Sequence, residues 1–182
     1  MRVSDDRYSR DRLRLDLALR FLNHGARTHT IRAWTMLSDD RIRKLYRSYV
    51  HAVDGPPRHR GKSPQQVSFF MRGSRAQHET GVLASFLSLL GVVPSTKVAN
   101  VLHTLPSLAR GERLCQAFEL FTAIFPTARI SFEHAIFLVT ALAHGNEIQY
   151  GRCADCTALV VVDRLTLRDT RCLLCARGLR AR

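Results

Sequence analysis

Four cysteines form the feature of this sequence that most restricts its fold. Cys153 and Cys156 make one C-x2-C pair, Cys172 and Cys175 make a second, and fifteen residues separate the two pairs. Each pair can turn tightly around one cation, and a short hairpin between them can close a tetrahedral site of four sulfur ligands. The spacing predicts a C-terminal ribbon that folds around one structural Zn²⁺ ion per chain.

Two other uses of these cysteines are less consistent with the sequence. Two disulfides would need an oxidising compartment, and the residues after Met1 lack the basic and apolar regions of a secretory signal. A redox-active pair would need only one C-x2-C, placed after a strand and at the start of a helix. Because all four ligand positions are thiolates, the metal is expected to hold the fold without activating water. The fifth cysteine, Cys115, is expected to be a small buried side chain.

The residues between the cysteine pairs favour a β-hairpin. Residues 157–162 are rich in β-branched side chains, Asp163 and Arg164 can form a turn, and residues 165–170 alternate apolar and polar side chains. The sequence therefore predicts that both strands of the ribbon lie between the two pairs.

Charge indicates the kind of partner. The formal net charge is +13, with +8 in residues 1–62, +1 in residues 63–150 and +4 in residues 151–182. Two basic ends around a nearly neutral middle favour a polyanionic partner over a surface that is basic only for solubility. No apolar run reaches the length of a membrane span, so we expect a soluble, cytoplasmic protein with no membrane partner.

Most of the chain has helical periodicity, so the expected fold class is mainly α, a helical body with a small C-terminal four-cysteine ribbon. Helix patterns and stop signals occur over Arg7–His24, Ala26–Thr35, a third helix after Ser38, Arg75–Leu90, Thr96–Leu105, Glu112–Phe125 and Phe132–His144. The expected regions are residues 1–53 (helical, with a helix-turn-helix-like motif), 54–64 (linker), 65–145 (helical core and partner-binding region) and 146–182 (ribbon and basic tail).

The segment from Ala26 to Tyr49 matches the layout of a helix-turn-helix. A short helix, a turn at residues 36–38 and a second helix capped by Ser38 follow one another. The apolar positions expected to be buried on the second helix are Ile42, Leu45, Tyr46 and Tyr49. The expected DNA-binding residues are Arg41, which would reach a guanine edge, and Arg43, Lys44 and Arg47, which would contact phosphates.

These motifs together resemble the FlhC family, one subunit of the bacterial flagellar master transcriptional activator. The resemblance rests on Leu22-Asn-His-Gly-Ala-Arg27, on Leu37-Ser-Asp-Asp-Arg-Ile-Arg-Lys-Leu-Tyr46 and on a helical middle followed by four cysteines. It implies a hetero-oligomer with FlhD, commonly four FlhD and two FlhC subunits, that binds double-stranded promoter DNA and recruits RNA polymerase to flagellar operons.

Enzyme motifs are incomplete, so we expect a protein without catalytic activity. Gly61-Lys62-Ser63 resembles the end of a phosphate-binding loop, but Pro56 occupies the position of its first glycine, and His78-Glu79 lacks the second histidine of a zincin helix. Two alternatives to the DNA-binding activator stay open. One is an RNA- or ribosome-associated zinc-ribbon protein, and the other is a zinc-stabilised enzyme with unrecognised catalytic residues.

Overall fold

The fold is mainly helical, with one small antiparallel sheet near the C-terminus. The structure is a computed structural model that describes residues 3–50, 62–94, 105–165 and 170–178. This architecture confirms the expected fold class. The chain divides into two compact units, the first made of Met1–Lys62 and Leu105–Cys115, the second of Ser63–Thr104 and Gln116–Arg182.

The first unit consists of short helices around an aromatic core. Its elements are α1 (Val3–Asn23), α2 (Thr28–Thr35), α3 (Asp39–Leu45), a π-helical turn (Tyr46–Val50) and the beginning of α6 (Leu108–Ile124). Helix α1 packs against α2 and the π-helical turn, and α2 packs against α3. Phe21 and Trp34 meet at a ring distance of 5.9 Å in this core. Gly111 is needed there, because a Cβ at this position would lie 2.7 Å from Leu17 Cδ2.

Helices α2 and α3 and the turn between them have the expected helix-turn-helix layout. The side chain of Ser38 caps α3 by accepting a hydrogen bond from the Arg41 amide at 3.4 Å. Asp39 and Asp40 occupy the first turn, where carboxylates favour the positive end of the helix dipole. The predicted start of α3 is confirmed, while α2 begins at Thr28, two residues later than predicted.

The buried face of α3 differs from the prediction at its C-terminal end. Ile42 is fully buried, but Tyr49 is 62% exposed and Val50 is 2% exposed instead. The reason is the π-helical turn over Tyr46–Val50. A π-turn takes an extra residue, so the position that faces the core moves from Tyr49 to Val50.

Met36 ends α2 in the left-handed region, with φ 59°, and its side chain is 75% exposed. A side chain in this backbone region costs about 1–2 kcal/mol, and glycine avoids that cost but loses more entropy on folding. We therefore expect Met36→Gly to raise the free energy of unfolding by roughly 0.5–1 kcal/mol. Chemical denaturation would measure the change. Met36→Ala is the matched control, since it keeps Cβ; an equal gain in both variants would contradict this account.

The second unit places α5 at the centre of its packing. Its elements are α4 (Ser68–Met71), α5 (Gly73–Leu89), the remainder of α6, α7 (Phe132–His144), β1 (Ile148–Arg152), β2 (Leu159–Asp163) and α8 (Leu173–Ala176). Helix α5 contacts α4, α7, β2 and α8. The largest fully buried side chains are Phe70, Leu83, Leu87, Phe121, Phe132, Leu138 and Ile148. The predicted bounds of α7 are confirmed, with a capping box at Ser131 and a left-handed Gly145 at its end.

In the described residues, the hairpin of the ribbon is formed by a different pair of strands from the predicted pair. Strand β2 pairs with β1, which precedes the first cysteine pair, in the register Ile148↔Asp163 to Arg152↔Leu159. The cause is the short loop at Cys153, whose amide donates to Ala158 O at 2.9 Å and closes the hairpin there. Leu165 is in a turn, and residues 166–169 lie outside the described residues.

Three other expectations fall partly or wholly on residues that the structure does not describe. These are most of the predicted helix Thr96–Leu105, residues 54–61 of the predicted linker, and the basic tail after residue 178. Three of the remaining helices differ only at their bounds. Helix α1 begins at Val3, α5 at Gly73 and α6 at Leu108, each earlier than its pattern predicted.

Candidate metal centre and cationic helix

The first cysteine pair lies in the loop of the β-hairpin. Strand β1 ends at Arg152, one residue before Cys153, and β2 begins at Leu159, three residues after Cys156. Within the loop, the Thr157 amide donates to Cys153 O at 3.0 Å, and Thr157 has a positive φ of 60°. A β-branched residue rarely adopts this conformation, so the loop holds a strained backbone that keeps both thiols on one side.

The second pair begins a short helix. Cys172 is the N-cap of α8, and its sulfur accepts a hydrogen bond from the Cys175 amide at 3.5 Å. The two pairs are joined by the backbone, because the Ala154 amide donates to Thr170 O at 3.0 Å. The Cys172 amide also donates to Cys153 Sγ at 3.3 Å. Backbone amides thus hold the two pairs together and stabilise negative charge on sulfur.

The four sulfurs form a compact cluster of the size that a metal ion needs. All four Sγ atoms lie within 4.8 Å of one another, and Cys156 Sγ lies 3.6 Å from Cys172 Sγ. A tetrahedral ion with bonds of about 2.3 Å to sulfur sets its ligands about 3.8 Å apart. The cluster therefore fits a four-coordinate metal ion. The structure brings together all four cysteines that the sequence singled out, and Cys115 is buried elsewhere.

The thiols of the cluster differ in acidity. The backbone amide of Cys172, followed by that of Cys156, lowers the pKa of the Cys153 thiol to about 6. Hydrogen bonding to Cys156, followed by Cys172, raises the pKa of the Cys175 thiol. Without a cation, crowded sulfurs carry one thiolate readily, and its negative charge opposes loss of a proton from the next thiol. A bound divalent ion removes this opposition and favours the thiolate form of the cysteines.

This acidity predicts how metal binding depends on pH. At pH 7 Cys153 is already a thiolate, so we expect one metal ion to displace fewer than four protons. Below pH 6 Cys153 is protonated in the metal-free chain, so protons compete with the metal ion at that ligand as well. The metal affinity therefore falls more steeply as the pH decreases. Calorimetric Zn²⁺ titrations in buffers of different ionisation enthalpy should show on the order of one more proton released at pH 5 than at pH 7. Equal proton release at both pH values would contradict this.

The cluster is accessible from one side and anchored on the other. Cys153 is 2% exposed, whereas the Cys156 side chain is exposed, which gives chelators a route to a bound ion. Next to the cluster, Arg171 pairs with Asp155 at 3.3 Å. On strand β1, the Tyr150 hydroxyl donates to Ala84 O at 3.2 Å, and burial raises the pKa of this phenol. This bond fastens the hairpin to α5.

The four residues predicted to bind DNA are all exposed on α3 and the π-helical turn. Arg41 donates to both carboxylate oxygens of Asp11 on α1, with Nη1 at 3.3 Å and Nη2 at 2.6 Å. Arg43 pairs with Asp40 at 2.9 Å within α3. In the part of the chain that the structure describes, no ion pair is recorded for Lys44 or Arg47. These two cations are free to meet an anion.

Asp11 is the residue near this surface that sequence analysis missed. It is separated by thirty positions from Arg41, and the pair forms only because α1 lies beside α3. From the sequence alone, Asp11 belongs to the helix pattern of α1 and is predicted to be an ordinary exposed carboxylate. No short-range pattern indicates such a contact.

No family model and no curated protein matches the chain. Among the helices of the described ranges, none is both long enough and apolar enough to cross a lipid bilayer.

Proposed function

We propose that the chain is a DNA-binding subunit whose first unit docks on duplex DNA through α3. The observation that carries the proposal is the α2–turn–α3 arrangement, which presents three exposed cationic side chains on α3 and a fourth on the π-helical turn that follows it. In a helix-turn-helix the second helix enters the major groove with its N-terminal residues at the base edges. Arg41, in the first turn of α3, is the residue placed to contact a base.

We propose zinc as the metal of the cysteine cluster. Four thiolates at tetrahedral spacing suit Zn²⁺, and an all-sulfur set leaves no open position for chemistry. The ion then has a structural role, which agrees with a chain that acts by binding and not by catalysis. Metal analysis of the purified protein tests the identity: more than about one zinc per chain, or iron instead, would reject it.

A more specific proposal follows from the FlhC resemblance. One of the segments that carry it lies at the end of α1 and just after it, and the other covers the turn and α3 of the helix-turn-helix. We propose that the chain assembles with FlhD, commonly as two copies with four FlhD subunits. The complex would recruit RNA polymerase at flagellar promoters. Native mass spectrometry with a candidate FlhD would report subunit count and bound metal together.

The alternative ligand is RNA, and one observation favours it. Tyr49, next to the exposed Arg47 and Ser48, is 62% exposed and offers a ring on which an unpaired base can stack. Competition of duplex DNA against single-stranded DNA and RNA, at one salt concentration, distinguishes the two ligands. Preference for RNA would reject the duplex-binding function. Tyr49→Leu is the matching variant, because it should weaken only single-strand binding.

Mutation of Arg41 tests its proposed base contact. Arg41→Ala should cost about 1–3 kcal/mol of discrimination at one base pair, because a bidentate contact to guanine is lost. Lys44→Ala on the same helix is the control and should weaken binding to all sequences equally. The slope of the logarithm of affinity against the logarithm of salt concentration should become smaller by about one. Binding to a panel of single-base variants of a selected duplex measures both. Equal losses from Arg41→Ala on every sequence would make Arg41 a phosphate contact.

A further inference from the structure

We propose that Asp11 is a positioning residue that restrains Arg41 and so raises the sequence specificity of the first unit. The proposal rests on the proposed duplex-binding function and deepens it. Its basis is the ion pair between α1 and α3, in which both terminal nitrogens of the Arg41 guanidinium are held by one carboxylate. A bidentate pair of this kind fixes the plane of the guanidinium as well as its position.

The Asp11–Arg41 pair differs from the neighbouring ion pairs. It joins two helices through two contacts, whereas Arg10–Asp6 and Arg43–Asp40 each lie within one helix and make a single short contact. Arg32–Asp39 also joins two helices, α2 and α3, but at a longer distance of 3.5 Å. The side chains of Arg41 and Asp11 are 45% and 37% exposed, while Asp6 is 71% and Asp40 is 92% exposed. A pair that is less exposed and spans two elements loses less to solvent screening and to side-chain motion.

Asp11 has other cations near it besides Arg41. Arg7, Arg10 and Arg14 lie near it on α1, and Arg10 already pairs with Asp6. Asp11 therefore lies on a surface where cations outnumber carboxylates. Neutralising Asp11 would make that surface more attractive to any polyanion, so the test must separate this general effect from the release of Arg41.

Restraint produces specificity because Asp11 and a phosphate carry charge of the same sign. Each terminal nitrogen of Arg41 keeps a second N–H that Asp11 does not occupy, so Arg41 can contact DNA while Asp11 holds it. A phosphate group can accept two guanidinium bonds, as guanine can, but it is an anion that Asp11 repels, whereas the O6 and N7 atoms of guanine belong to a neutral base. Asp11 disfavours phosphate contacts on random sequence more than it disfavours the correct base.

Asp11→Asn is the test variant, and Asp16→Asn is its control. Both remove one negative charge from α1, but Asp16 pairs with Arg12 of the same helix, at 3.8 Å. Released Arg41 can neutralise one more phosphate, which steepens the salt slope by about 0.9 and tightens random duplex binding about eightfold at 0.1 M salt. We expect less than a twofold change from Asp16→Asn. The affinity ratio between a duplex selected from a random pool and a random duplex should fall only in Asp11→Asn.

The same comparison in an Arg41→Ala background shows whether Asp11 acts through Arg41. There, Asp11→Asn should tighten binding no more than Asp16→Asn does. A persisting excess would overturn the proposal, as would equal effects of the two variants in the wild-type background. Failure of the wild-type chain to bind any duplex would instead reject the proposed function itself, so the two failures are distinguishable.

Discussion

Removing the metal, or replacing one ligand by Cys172→Ser, should unfold the C-terminal hairpin while most of the helical content remains. Structural zinc sites contribute about 10–16 kcal/mol of apparent binding free energy in small zinc-binding peptides. The hairpin has only two strands of five residues each. Two strands alone are marginal in water, and although β2 packs against α5, the metal is expected to supply much of their stability.

Cys172 is the most informative ligand to replace, because it has three roles in the cluster. Its sulfur lies 3.6 Å from Cys156 Sγ, its amide donates to Cys153 Sγ, and its side chain caps α8. Because Cys172→Ser keeps the backbone amide and supplies a hydroxyl that can cap α8, this variant removes only the metal ligand. Loss of the thiolate should separate the two cysteine pairs. Amide hydrogen exchange at β1 and β2 should rise by orders of magnitude, whereas α7 should keep its protection.

The control is Cys115→Ala, which removes the cysteine outside the cluster. Cys115 is fully buried in α6, so this variant should lower stability slightly but keep one metal ion per chain. Chelation should be done with a reductant present, since freed thiols as close as Cys156 and Cys172 can oxidise. A Cys172→Ser protein with full metal content and a protected hairpin would refute the structural role of the metal.

Features set by local chemistry could be predicted from the sequence. Ser38 and Ser131 begin helices because their hydroxyls accept amide hydrogen bonds, and Gly145 ends one because it tolerates positive φ. The cysteine cluster belongs to the same class. Its C-x2-C spacing lets each pair turn tightly around one ion. This does not depend on which strand precedes the pairs.

Features set by contacts distant in sequence could not be predicted. Strand β1 is only five residues long and contains Gly151, so it lacks the run of β-branched residues that marked β2. The glycine has a packing reason, since a Cβ there would lie 2.8 Å from Val162 Cγ1 on the paired strand. The burial of Val50 instead of Tyr49 depends on a π-turn, and the Asp11–Arg41 pair depends on how α1 packs against α2 and the π-helical turn.

Ile42→Ala should lower the free energy of unfolding of the first unit by about 2–5 kcal/mol. Ile42 is the one fully buried residue of α3, and truncating it leaves a cavity between that helix and the core. Because α3 has only seven residues before the π-helical turn, its own hydrogen bonds are too few to hold it in place. Urea unfolding followed by the fluorescence of Trp34, which lies in the same unit, should report the loss.

Arg43→Ala is the matched control, one position along the same helix. Arg43 is 54% exposed and pairs with a carboxylate that is 92% exposed, so the change should alter stability by no more than about 0.5 kcal/mol. Both variants should bind duplex DNA more weakly, but for different reasons. The Ile42→Ala defect should shrink on adding a stabilising osmolyte, since it arises from unfolded protein, whereas the Arg43→Ala defect should persist. Equal unfolding free energies for the two variants would show that Ile42 does not anchor α3.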